Sequence, residues 1–145
     1  MLTIKKIVCP TDFSAPSLKG VDYAVELVKL FQAELVVAHV LHDLPPRPND
    51  PNISFEVPEY ERILHKEFAD KLDELVKTRI PKTIKALAVL GHGNAAKEIV
   101  RIAGETKADL IVIAAQGHTA WHNLVMGSVA EKVVRHATCP VFVVR

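Results

Sequence analysis

Short apolar runs alternate with stretches of helical periodicity along this chain, and that alternation constrains the fold more than any other feature. Ile4 to Cys9 reads as a first strand. A helix follows, opened by Phe13 and Ser14, with Ser14 as cap and Phe13 stapled onto Leu18. Leu18, Val21, Ala24, Val25, Val28 and Phe31 share one face of it. Glu34 to Leu41 is a second strand. Four prolines between His42 and Pro51 then forbid helix and central strand, so a surface excursion is expected. Pro58 to Arg79 is an amphipathic helix with Tyr60, Leu64, Phe68, Leu72, Leu75 and Val76 inward and a mixed-charge solvated face. Thr83 to Leu90 reads as a third strand, Gly91-His92-Gly93 as a turn, and Asn94 as the cap of a helix striped by Ala95, Ile99, Val100 and Ala103. Leu110 to Ala114 is apolar throughout, as a strand buried on both faces should be. A helix from Ser128 to His136 and a strand from Pro140 to Val144 close the pattern.

Strands separated by helices imply an α/β fold: a parallel sheet with helices on both faces and right-handed crossovers. All 145 residues read as one domain, with no linker or repeat. Ligands of such folds bind beyond the carboxyl ends of the strands, where strand order reverses. Pro10-Thr11-Asp12 ends the first strand and Ala114-Ala115-Gln116-Gly117 the fourth. The two face one crevice if those strands are neighbours, which periodicity leaves open.

The formal net charge of +1 offers no field for nucleic acid or an anionic membrane. No apolar run is long enough to span a bilayer, and residues 1–7 lack the order of a signal peptide, so a cytoplasmic location is the default expectation. Cys9 and Cys139 are expected at opposite edges of the sheet, unpaired.

Gly117 and Gly127-Ser128 stand nine residues apart between the fourth strand and the last helix. Ser128-Val129-Ala130-Glu131 reads as a capping box, and a helix N-terminus beside glycine is a natural phosphate cradle. It is not a P-loop, since Gly-x4-Gly-Lys-Ser/Thr is absent. His118 and His122 lie in a loop with no cysteine nearby, so no metal site is expected. Ser14, Ser17 and Ser128 lack a nucleophile elbow, so no catalytic residue is assigned. His39 reads as a satisfied core or edge histidine, and Trp121 as a ligand shield or a partner contact.

Val8-Cys9-Pro10-Thr11-Asp12-Phe13-Ser14 resembles the opening of the universal stress proteins. Asp109 to Ile113, Gly117, Gly127 to Val133 and His136 to Val141 resemble their C-terminal signature. The resemblance covers essentially the whole chain. It implies a five-stranded parallel sheet of order 3-2-1-4-5 with helices on both faces, and a homodimer formed through the last strand. The family's ATP-binding branch carries Gly-x2-Gly-x9-Gly-Ser/Thr, matched here by Gly117, Gly127 and Ser128, with Ala114 in place of the first glycine. His118-Thr119-Ala120 also departs from that branch.

By the same resemblance Pro10, Thr11 and Asp12 border the adenosine, with Asp12 on the ribose. Val40 meets the adenine through its backbone. Ile113 and Ala114 end the strand at the site, and Gly117, Gly127, Ser128 and Val129 hold the phosphates. His118 is not part of that resemblance; read on its own, a histidine near a triphosphate offers a hydrogen bond. Mg2+ or Mn2+ would arrive with the nucleotide, held by phosphate and water. If position 114 needs a positive φ, its methyl costs about 1 kcal/mol. The implied function is a stress-response protein with ATP as regulatory ligand, an unidentified protein partner and at most slow, incidental hydrolysis. The alternatives are a dimeric interaction module that binds no nucleotide, and an enzyme acting on an adenylated or phosphorylated small molecule.

Overall fold

A computed structural model of the protein describes residues 1–42, 57–116 and 125–145. Nine elements alternate: β1 (Lys6–Pro10), α1 (Ala15–Phe31), β2 (Glu34–Leu41), α2 (Val57–Arg79), β3 (Ala86–His92), α3 (Ala95–Glu105), β4 (Leu110–Ala114), α4 (Ser128–His136) and β5 (Val141–Val144). The strands form one sheet of order β3-β2-β1-β4-β5, and every pairing is parallel. β1 and β4 are therefore neighbours, which settles the adjacency that the pattern left open.

The sheet is buried on both sides. Ile7, Cys9, Leu35, Val37, Leu110 and Val112 face α1 and α2, where Val21, Ala24, Val28, Leu72 and Leu75 meet them. Val8, Val36, Ala38, Val40, Ile111 and Ile113 face Ala96, Ile99, Ile102, Ala130 and Val133 of α3 and α4. The all-apolar run at β4 is buried throughout, as two covered faces require.

Several boundaries differ from the sequence pattern. β3 starts at Ala86, because Pro81 to Ile84 forms a turn closed by the Ile84 amide donating to the Pro81 carbonyl, 3.0 Å. It runs on through Gly91 and His92, which pair with Val40 and Leu41, so only Gly93, at φ +103°, turns the chain. Gly91 is buried there, and a Cβ would stand 3.0 Å from the Glu98 carboxylate and 3.4 Å from Ile102. Phe31 is 40% exposed, because α1 ends at Gln32 in the left-handed conformation and the buried stripe stops at Val28.

The cysteines are not at opposite edges. Cys9 lies in the central strand against α1 and α2, while Cys139 packs on the opposite face; both are free thiols. Among the described residues no helix is long and apolar enough to cross a membrane.

Candidate functional site

Strand order reverses between β1 and β4, so the crevice at their carboxyl ends is the expected ligand position in an open parallel sheet. The β1 side is a tightly bonded turn. The Thr11 amide donates to the Ala38 carbonyl, 2.8 Å. The Thr11 hydroxyl meets the Ser17 hydroxyl at 2.8 Å, and the Ser17 hydroxyl donates to the Ser14 carbonyl at 2.9 Å. The Phe13 amide donates to Thr11 Oγ1, 3.0 Å, and the Asp12 amide to Ser17 Oγ, 3.3 Å. Asp12 Oδ1 accepts from both the amide and the hydroxyl of Ser14. Ser14 caps α1 as its sequence position suggests, taking the Ser17 amide at 3.4 Å. Thr11, Ser14 and Ser17 are all buried, so this network replaces water for the start of α1.

Two features of the turn have no sequence signature of their own. Phe13 has φ +65°, a left-handed conformation that non-glycine residues rarely adopt. His39 places Nδ1 2.7 Å from the Thr11 carbonyl oxygen. Burial lowers the pKa of His39, against the Thr11 carbonyl and Asp12, which raise it; Lys71 and His42 lower it further.

The β4 side is a junction pinned at one atom. The Ala115 amide donates to the Val144 carbonyl at 2.7 Å, and the Ala115 carbonyl accepts the Gly127 amide at 2.6 Å. A Cβ on Gly127 would stand 3.2 Å from that carbonyl oxygen. Glycine is thus needed for close backbone approach, since its φ of −60° is open to any residue.

Gly127 is also the N-cap of α4, and having no side chain it makes no side-chain cap bond. The expected capping box does not form. Ser128 is the first helical residue, the Glu131 amide bonds the Gly127 carbonyl at 3.0 Å, and the Glu131 carboxylate pairs with Arg135 at 2.8 Å. The first turn therefore presents amides with no intrahelical acceptor and no cap from the N-cap residue, at the positive end of the helix. Ser128 is exposed and Val129 half-buried.

Ala114 is an ordinary strand residue paired with Val144, outside the left-handed region. The conformational cost raised for this position does not arise. Its methyl lies against α1, where a Cβ built on Gly20 would stand 3.7 Å from it. Ile113 and Val40 are buried in the α3 and α4 face. Alternation along β2 puts the backbone groups of Val40 on the same side as those of Ala38, toward β1, which has ended at Pro10. Gly117, His118, Thr119, Ala120, Trp121 and His122 lie outside the described residues. Among the described residues no group of three His, Cys, Asp or Glu side chains is placed to hold a metal.

Residues 3–145 match the model of the universal stress protein family. The chain belongs to that family. It is 37% identical over 142 residues to universal stress protein MJ0531 of Methanocaldococcus jannaschii, covering 97% of this chain and 82% of that one. Among solved structures it is similar to the universal stress protein UspA from Lactobacillus plantarum, with a TM-score of 0.73 and 25% identity over 98% of both chains. Two other universal stress protein structures share the fold, each at 21% identity. One is a complex with cAMP (TM-score 0.68, covering 99% of this chain and 98% of that one). The other is the Archaeoglobus fulgidus protein in complex with dAMP (TM-score 0.63, covering 100% of both).

Proposed function

We propose that this universal stress protein binds an adenine nucleotide, ATP with Mg2+ or Mn2+, as a regulatory ligand in the crevice between β1 and β4. The observation that carries this reading is the α4 N-terminus, with glycine at its cap, pinned by Gly127 against the end of β4 beside the Thr11–Asp12 turn. An anion placed there meets backbone amides and the positive helix end. In this reading Gly127, Ser128 and Val129, with Gly117 and His118, hold the phosphates, and Asp12 takes the ribose. Pro10, Thr11 and the backbone of Val40 border the base. The metal would neutralise phosphate charge. Relatives of the same fold complexed with cAMP and dAMP support an adenine nucleotide as the class of ligand. The position of the Ala114 methyl, against Gly20 of α1, supports a cradle that it leaves open.

The mechanism is a population shift, which requires ATP to favour one arrangement of the crevice over another. Calorimetric titration of nucleotide-stripped protein with ATP and Mg2+ tests it. We expect binding in the micromolar range, with Ala114→Gly within about threefold of the natural chain, less than 1 kcal/mol. Silence from both, even with millimolar ATP, would overturn the reading and leave the interaction module.

We also propose a homodimer through β5. This edge strand shows Phe142 at 41% exposure and a neighbouring Tyr23 at 46%, their rings 6.5 Å apart. Apolar edge strands pair readily across a two-fold axis. Sedimentation showing only monomer at micromolar concentration would overturn this.

A further inference from the structure

The rings of Phe13, His39 and Phe68 come from three separate parts of the chain and meet directly behind the crevice turn. Phe13 and His39 are 4.7 Å apart between centroids, and His39 stacks on Phe68 of α2 at 5.1 Å and 20°. The Lys71 ammonium sits 4.5 Å from the Phe13 ring centre and 5.8 Å from that of Phe68. The Phe13 and Phe68 centroids are themselves 6.3 Å apart, so the three rings form a triangle, with both phenyl rings packed against His39. The His39 Nδ1 is 2.7 Å from the Thr11 carbonyl oxygen.

A carbonyl can only accept, so Nδ1 carries the proton. Thr11 is then held at both ends: its amide by Ala38, its carbonyl by His39. The peptide so fixed is the one that leads into Asp12. The next residue, Phe13, holds a left-handed backbone, which costs about 1 kcal/mol or more and persists only where surroundings impose it. Its ring packing against His39 and Lys71 supplies that constraint.

We infer that His39 is a positioning residue for the nucleotide crevice: packed against Phe13 and Phe68, it orients the Thr11–Asp12 peptide through the Thr11 carbonyl. This deepens the nucleotide reading and rests on it. Among the described residues the charged and titratable groups around the ring are Asp12 from the turn, Lys71 from α2 and His42 beyond β2.

The test compares His39→Asn, His39→Gln and His39→Leu. Asparagine can place an N–H where Nδ1 stood; glutamine is too long to do so, and leucine has no donor. ATP titrations should show Asn within about threefold of the natural chain, and Gln and Leu weaker by about tenfold or more, 1.4 kcal/mol. Backbone amide spectra of the nucleotide-free proteins provide a readout that needs no ligand. The Asp12 and Phe13 amide resonances should move in Gln and Leu and stay near their natural positions in Asn. If the natural chain binds no ATP, the nucleotide reading falls, and the amide pattern still decides the clamp. Equal spectra for Asn and Gln, or Gln binding ATP as well as Asn, would overturn the inference. The Asn–Gln contrast serves even if the Leu protein fails to fold.

Discussion

Gly127 illustrates how a single residue can be needed for space and not for conformation. Its backbone is open to any residue, but a Cβ would press on the Ala115 carbonyl at 3.2 Å. Gly127→Ala should weaken the 2.6 Å bond between the Gly127 amide and that carbonyl and cost about 1 kcal/mol. Thermal melting should fall by about 3 °C, and nucleotide affinity with it; an unchanged melt would show that the junction yields freely. The two thiols make a second residue-scale contrast. Burial raises the Cys9 pKa to about 12, with Asp22 adding to the effect, while Cys139 is raised by burial but is only partly covered. Alkylation of the native protein at pH 8 should therefore modify Cys139 and spare Cys9. At this scale the sequence was only partly legible. Ser128-x-x-Glu131 has the capping-box spacing, but the pattern cannot tell an N-cap from a first helical residue when the preceding Gly127 can take the cap position at a cost of only a few tenths of a kcal/mol. The left-handed Phe13 and the bond from His39 to Thr11 depend on contacts between distant segments, which no local pattern records.

Among the elements, β2, β4 and α4 have the bounds that the sequence pattern suggests. β3 does not. A glycine and a histidine at its end look like a turn, yet the longer β2 beside it offers partners as far as Leu41, and pairing overrides local preference. The N-terminal half of α2 rests on the sheet through two ring pairs, Phe68 on His39 and His65 on His92, the latter 5.2 Å apart. At the opposite end of the sheet one carboxylate organises the entry to β1. Asp109 Oδ2 accepts the amides of Lys5 at 2.8 Å and Lys6 at 3.0 Å. Asp109→Ala should cost about 1–2 kcal/mol in denaturant unfolding without altering ATP affinity. A matching loss of affinity would mean that β1 transmits strain along its length.

Over the whole molecule, strand order is what the family resemblance implies, and the sheet has that order, 3-2-1-4-5. Alternation alone could not supply that order, because it is silent on which strands pair. The pH dependence of stability is a property of the entire fold. His39 has a folded pKa below its ordinary value of 6.5, chiefly from burial. As pH falls through 6.5 the unfolded chain takes up the proton first, so unfolding is favoured. The contribution of His39 is thus full above pH 6.5 and lost as pH falls toward its folded pKa. Glu98, lowered chiefly by Arg101, contributes above its ordinary 4.5 and loses that at lower pH. Urea unfolding between pH 7.5 and 5 should show falling stability, with a shallower slope in His39→Asn; equal slopes would exclude His39 as the source.

The bond from Gly127 to Ala115 also matters to anyone wishing to label this protein. The chain leaves the sheet at Ala115 and returns to the same atom twelve residues later. A segment whose two ends already meet can be lengthened cheaply, since each doubling of a loop costs only about 0.6 kcal/mol. A small fluorescent or affinity tag inserted between them would be carried by the molecule as a handle while the sheet keeps its register, and its effect on nucleotide affinity would show how much Gly117 and His118 matter to the ligand.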